Sequence, residues 1–309
     1  MKEIKITLLI VDIIIISIII SLYQTDYKST NNATQNMADN PGIITSYVDD
    51  FYIENNVYYY SDNSYEEQII NRKKDELYKL IGLNIDNYRA YLIVIYDPST
   101  IKLMTSQKFN TIDNSGLERI LDMSKRYNAI VGINGGGFVD IHTAIDIPVG
   151  YVIKNGIKIW GDDTRIGELI GFNKDNTLTL VKSTADDAIK NGMRDAIEFG
   201  PFLIVNGKET INSKWMYDAR ASRVIIAQRE DGIAFFLVTN GGSYGNGPRM
   251  KEIVNVLNNY GAYNAANLDG GASTQLVINN KLYTTTHNIK GMEVKNGRKV
   301  LNGWGIIKQ

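Results

Sequence analysis

The chain has 309 residues, 44% of them hydrophobic and 22% charged, with a formal net charge of −1. This is apolar material enough for a sizeable core, and the balanced charge excludes a global pull toward nucleic acid or anionic lipid. The sequence contains no cysteine, which excludes disulfides, thiolate metal sites, a cysteine nucleophile and a lipobox.

Ile6 to Tyr23 is an almost unbroken apolar run, interrupted by Asp12 and by the hydroxyls of Thr7, Ser17 and Ser21. At about 1.5 Å per residue such a run spans roughly 27 Å, close to the hydrocarbon thickness of a bilayer. The segment after it, Ser21 to Asp26, carries no small-x-small cleavage site. Residues 1–23 are therefore predicted to be a single transmembrane helix acting as an uncleaved signal anchor. Lys2 and Lys5 at its start favour a cytoplasmic N-terminus, which places the remainder outside the cytoplasm at the cell membrane. Residues 24–45, rich in Ser, Thr, Asn and Asp and carrying Pro41-Gly42, read as a flexible stalk.

Residues 46–87 form an N-terminal extension. Tyr47 to Tyr60 is aromatic and acidic without a clear period. Tyr65 to Ile81 is predicted helical, because Ile69, Ile70, Leu77, Leu80 and Ile81 fall near one face and Gly82 can end it. From Tyr88 to residue 309 the pattern turns to strands. Tyr91–Tyr96 reads as a buried strand, Asp97-Pro98 as a turn, and Ile101–Thr105 as a return strand. Ser115 is a predicted cap for a helix through Tyr127. A strand over Ala129–Ile133 runs into glycines. Hairpins follow around Asn155-Gly156, after Phe202–Val205 at Asn206-Gly207, between Arg223–Gln228 and Ile233–Val238, and across Asn279-Asn280. Met250–Tyr260 reads as an amphipathic helix stopped by Gly261, Asn264–Leu268 as a strand, and Gly303–Ile307 as the last strand. Many hairpins and few helices without βαβ alternation give an α+β class with a mostly antiparallel or mixed sheet.

Two strand ends share one design. Val131-Gly132-Ile133 delivers Asn134 into Gly135-Gly136-Gly137, and Ala266-Asn267-Leu268 delivers Asp269 into Gly270-Gly271. Glycines in such turns can aim backbone N–H groups at an anion and let a ligand approach the main chain; a plain tight turn is the simpler alternative for either one alone. Arg220 and Arg223 flank a strand start and offer fork-shaped donors for phosphate; solvated arginines at a strand edge are the simpler alternative. The two histidines are His142 and His287. With Asp140 and Asp146 nearby, His142 is a candidate metal or acid–base residue, although a surface-loop histidine fits equally.

Several motifs in this order resemble the phosphodiester glycosidase family over residues 88–309. They are Asn134-Gly135-Gly136-Gly137-Phe138, Pro148-Val149-Gly150, Gly200-Pro201-Phe202 through Asn206-Gly207, Arg220-x-x-Arg223, and Gly261 through Thr274. The resemblance implies that Asn134, Arg223, Asp269 and Ser273 line one pocket, with Glu198 and Arg298 as neighbours. It implies Asp269, Arg223 and Glu198 as catalytic groups. Asn134, Gly135, Gly136, Arg220, Asn240, Gly270, Gly271, Ser273, Thr274 and Arg298 would bind substrate. The chain departs from the family pattern at Asn240-Gly241-Gly242, Ala227 and Arg249. The implied activity is hydrolysis of a sugar-1-phosphodiester in cell-envelope or exopolysaccharide material, the partner being a carbohydrate or glycosyl-phosphate polymer. A glycan-binding module without turnover and a metal-dependent phosphoesterase, with a divalent cation near Asp269 or at Asp140 and His142, are the alternatives.

Overall fold

The computed structural model of the chain describes residues 46–48, 51–107, 109, 116–139, 147–162, 164–243 and 245–308. The predicted anchor and stalk, Asp140, His142, Asp146 and Ser115 lie outside the described residues. Among the described residues no helix is long and apolar enough to cross a membrane. The chain divides into two compact units, residues 1–56 and 57–309. In the first, Ser46–Val48 pairs antiparallel with Phe51–Glu54, with Tyr47 opposite Tyr52. The second unit carries everything that follows.

Its large sheet runs in the order Val57–Tyr60, Tyr78–Ile85, Tyr88–Ile95, Ala234–Thr239, Val224–Arg229, Ala262–Asn267, Phe202–Val205 and Lys208–Glu209. A second sheet has the order Lys281–Leu282, Leu276–Ile278, Ala129–Asn134, Asn302–Ile307 and Ile101–Thr105. A third has Ile157–Trp160, Val152–Lys154, Met193–Glu198, Gly167–Asn173 and Leu178–Ser183. The described pairings within these sheets are antiparallel, except where Tyr58 lies beside Ile81 in parallel. The α+β, sheet-rich expectation holds.

The layering follows from period-two alternation. In Tyr88–Ile95, Ile93 and Ile95 join one apolar cluster while Leu92 and Val94 join another, and all four are fully buried. The first cluster is the main core, where Ile226 and Phe236 of the large sheet meet Val131, Leu276 and Trp304 of the second sheet and Phe172 and Ile197 of the third. The outer face of the large sheet is covered by the Met250–Asn259 helix, through Met250, Ile253, Val254 and Leu257, and by Ile69 of the Tyr65–Ile70 helix. Ile120–Tyr127 covers the second sheet and Ala185–Lys190 the third. Each such fully buried Ile or Leu contributes about 1.5–3 kcal/mol.

Three local expectations are corrected. The helix predicted to Ile81 ends at Ile70, and Tyr78–Ile85 is instead a strand paired residue for residue with Tyr88–Ile95. Leu80 and Ile81 face opposite clusters, as a strand requires, and the reversal is made at Asp86 and Asn87, whose φ angles are 52° and 68°. An apolar run this short fits either period. Ile101–Thr105 is a strand, but it does not return onto Tyr88–Ile95. The Pro98–Thr100 turn redirects it to the second sheet beside Asn302–Ile307. The helix predicted from Ser115 begins at Ile120, because Glu118–Arg119 pairs with Lys299–Val300. The predicted hairpin turns stand, with Asn155 and Gly156 both at positive φ, as are Asn206 with Gly207 and Asn279 with Asn280.

One polar cluster links the second and third sheets. The Tyr127 hydroxyl accepts from Lys154 Nζ and from Thr105 N at 3.2 Å, and lies 3.0 Å from Thr105 Oγ1. Burial alone would push the phenol up, but these hydrogen bonds outweigh it and bring its pKa down to about 8. An acid whose folded pKa lies below its unfolded value adds stability above the unfolded value, and this is lost as pH falls through the folded one. With solvent screening at this half-buried site, wild type is therefore expected to gain about 1 kcal/mol over Tyr127→Phe between pH 7 and pH 10. Urea unfolding at the two pH values measures the gain, and a pH-independent gap would refute the assignment.

Candidate functional site

Ala129–Asn134 of the second sheet and Ala262–Asn267 of the large sheet end at the same place, and the two glycine turns meet. Asn134, 1% exposed, donates from Nδ2 to Asp269 O at 2.7 Å and accepts from Gln275 N at 2.9 Å. Asp269 N donates to Gly135 O at 2.9 Å. The side chain of one turn thus binds the main chain of the other, and the main chains bind each other.

The glycines serve close approach here, not an open anion nest. Gly135 N donates to Asn302 O at 3.1 Å and Gly136 N to Asn302 Oδ1 at 2.8 Å. Gly270 N donates to Asp269 Oδ1 at 3.0 Å and Gly271 N to Ser222 O at 2.9 Å. The expectation that these four N–H groups point at a ligand is corrected: each already has an acceptor within the protein. What the sequence needs glycine for is space. A Cβ on Gly135 would lie 2.3 Å from Asn302 Oδ1, and one on Gly270 would lie 2.5 Å from Ser222 O.

The charged groups are arranged around Asp269. Burial pushes its carboxyl above the ordinary carboxylate range. A hydrogen bond from Ser273, the Arg298 guanidinium, the Gly270 N–H and Arg223 oppose this without cancelling it. Ser273, 1% exposed, also accepts from Arg298 Nη1 at 3.3 Å, and the Arg298 guanidinium lies 4.7 Å over the Phe138 ring. Arg223 Cδ is 3.6 Å from where a Gly270 Cβ would be, and Arg223 N is held by Thr239 Oγ1 at 2.8 Å. Ser222 Oγ donates to Gly271 O at 2.9 Å and accepts from Thr274 Oγ1 at 3.1 Å. A half-buried carboxyl with two guanidiniums near it leaves positive charge available to an anionic ligand.

The structure brings together Asn134, Gly135, Gly136, Arg223, Asp269, Gly270, Gly271, Ser273, Thr274 and Arg298. Arg220 points elsewhere: its Nη1 binds Asp86 Oδ2 at 2.8 Å, and the same oxygen accepts Arg249 N and Nε at 3.1 and 3.2 Å. Glu198 has its main-chain oxygen against Gly136, but its carboxylate takes Tyr151 N at 3.1 Å and the Arg165 guanidinium. Asn240 accepts from Thr285 N at 3.2 Å at the flank of the site. His287 lies beside Gly241 O, with Nδ1 3.3 Å away. Among the described residues no group of three His, Asp or Glu side chains could hold a metal ion. Sequence reasoning missed Asn302, Gln275, Thr239 and Asp86, which carry no motif. A polar residue opening an otherwise apolar strand, as Gln275 and Asn302 do, is the signal that could have found them.

The fold and site define a sheet-rich α+β protein of three packed sheets with an acid and two arginines at paired glycine turns. The family model of phosphodiester glycosidases matches residues 127–307, and the chain belongs to that family. Its fold is similar to that of the zebrafish N-acetylglucosamine-1-phosphodiester alpha-N-acetylglucosaminidase catalytic domain, described as auto-inhibited by its pro-peptide. That match has 18% identity, covers 77% of this chain and 86% of that one, and has a TM-score of 0.62. A protein from Burkholderia pseudomallei K96243 matches at 15% identity over 72% and 74% of the two chains, with a TM-score of 0.54. A hypothetical protein from Synechocystis matches at 16% over 76% and 64%, with a TM-score of 0.50. Comparison with curated protein sequences gave no match.

Removing the Asn134 side chain strands Gln275 N and one acceptor of Asp269 O inside the protein. Asn134→Ala is expected to lower unfolding free energy by about 2–3 kcal/mol. Denaturant titration checks this, and a loss below about 0.5 kcal/mol would show that the two turns do not depend on it.

Proposed function

We propose that this protein hydrolyses the C1–O bond of a sugar-1-phosphodiester in cell-envelope or exopolysaccharide material. The observation that carries the reading is the convergence of Arg223, Arg298 and Ser273 on the half-buried carboxyl of Asp269. A glycosyl phosphodiester carries one negative charge, and cleavage at C1 releases a phosphate monoester that gains a second. Arg298 and Arg223 meet that growing charge, so their interaction is stronger in the transition state than in the ground state. Family membership supports a hydrolase acting on this linkage class.

Asp269 is assigned as the base. Water attacks C1, its oxygen stays on the sugar, and its proton passes to the Asp269 carboxylate. The C1–O pair leaves with the phosphate, whose anion departs without a proton donor of the kind an ordinary glycoside needs. Burial makes the Asp269 carboxylate more basic than an exposed one. Ser273 orients it, and Asn134 fixes the turn from which it projects. Glu198, bound to Arg165 and Tyr151 N, supports the wall beside Gly136. The apolar run from Ile6 to Tyr23 motivates the accompanying proposal of a membrane-anchored enzyme acting outside the cytoplasm.

Turnover on a panel of glycosyl-1-phosphodiesters in ¹⁸O-labelled water tests the reading. Label is expected in the sugar, and label in the phosphate would instead establish P–O cleavage. Asp269→Asn is expected to lower kcat by about 10³-fold. Because a base must be ionised and burial raises this one, the acid limb of the rate profile is expected above the usual carboxylate range. A limb at pH 4 or below would remove Asp269 from the role.

A further inference from the structure

Gln275 opens the Leu276–Ile278 strand and is fully buried. Its side chain ties together three separate parts of the chain. Nε2 donates to Arg298 O at 2.7 Å and to Ser273 O at 3.2 Å, while Oε1 accepts from Ile120 N at 3.3 Å. Ile120 is the first residue of the Ile120–Tyr127 helix, and the preceding Arg119 supplies no side-chain cap. Gln275 therefore does for that helix what a local serine or aspartate ordinarily does. Its own N–H meets Asn134 Oδ1. The turn before Arg298, with Asn296 at φ 61° and Gly297 at φ 77°, is pressed so close that a Cβ on Gly297 would lie 2.2 Å from Gln275 Oε1.

Arg298 reaches the site from this turn. Its guanidinium rests over Phe138 and binds Ser273 Oγ, so where its main chain is fixed decides where its charge falls. We propose that Gln275 is a positioning residue that fixes the main chain of Arg298, and so holds the guanidinium beside Ser273 and Asp269, where the departing phosphate gains its charge. The proposal rests on the hydrolase reading for its catalytic consequence, but not for the coupling of Gln275 to Arg298 and Asp269.

Two measurements on the full chain test it. The first follows the Asp269 carboxyl by ¹³C NMR titration and needs no substrate. The second takes kcat and KM on a glycosyl-1-phosphodiester. Gln275→Met keeps the volume and removes the amide. Gln275→Asn adds no charge and keeps a polar amide in this polar site, but its stem is one methylene shorter and withdraws the donor from Arg298 O, so it remains informative where Gln275→Met does not fold. With Arg298 released, the Asp269 titration is expected to move upward, as in Arg298→Ala. In the Arg298→Ala background neither Gln275 substitution should move it further. The same variants are expected to lose about tenfold or more in kcat with a smaller change in KM, because the arginine acts on charge that grows in the transition state. A folded Gln275→Met or Gln275→Asn with unchanged titration and unchanged kcat overturns the proposal, as does a shift that persists without Arg298. If wild type turns over no glycosyl phosphodiester while the Gln275 variants still shift Asp269 through Arg298, the hydrolase reading falls and the positioning role stands.

Discussion

The site depends on two turns from different sheets being joined by hydrogen bonds no longer than a strand pairing. Asn134 and Gly135 on one side and Asp269 on the other exchange side-chain and main-chain bonds at 2.7 and 2.9 Å. Such proximity leaves no room for Cβ atoms, and Asn302 and Ser222 occupy the space that side chains at Gly135 and Gly270 would need. The carboxyl of Asp269 stays half-buried in the mouth of this closure, and the desolvation it suffers there raises its pKa. Electrostatics and backbone geometry are here the same constraint.

Much of the fold was legible in the sequence because the relevant signals are local. Asn-Gly and Asn-Asn pairs set hairpins through positive φ, and the Met250–Asn259 helix shows its apolar face in its spacing. Where the sequence misled, tertiary pairing overrode a short periodicity. Leu77, Leu80 and Ile81 fit a helix on spacing, but the Asp86-Asn87 turn folds that segment onto Tyr88–Ile95. Gly167–Asn173, Leu178–Ser183 and Met193–Glu198 went unread. Gly171, for one, interrupts an apolar strand only because a Cβ there would lie 2.1 Å from Asp195 O, a fact of the neighbouring strand.

The site was legible in its actors and less so in their supports. Asn134, Asp269 and Ser273 stand in glycine-rich turns, Arg223 in the Arg-x-x-Arg motif and Arg298 just after Gly297, and the structure assembles them. Arg220 and Glu198 sit in equally suggestive contexts yet spend their charges on Asp86 and Arg165. Alternation along a strand start cannot reveal an acceptor from a distant hairpin. Gln275 and Asn302 were invisible for the complementary reason, since a buried amide announces itself only through the carbonyls and N–H groups it meets.

Asp86 belongs to a hairpin upstream of residues 127–307, the stretch shared with the family, yet its one oxygen gathers Arg220 Nη1 and both Arg249 N and Nε. Gly245 N in turn donates to Arg220 O, and Met250 N to Ala219 O, so Arg220 and its neighbour are held by main-chain bonds as well. One carboxylate from outside the matched stretch thus sets the stance of two arginines inside it, and divergence in that hairpin can shift both while every motif residue stays in place.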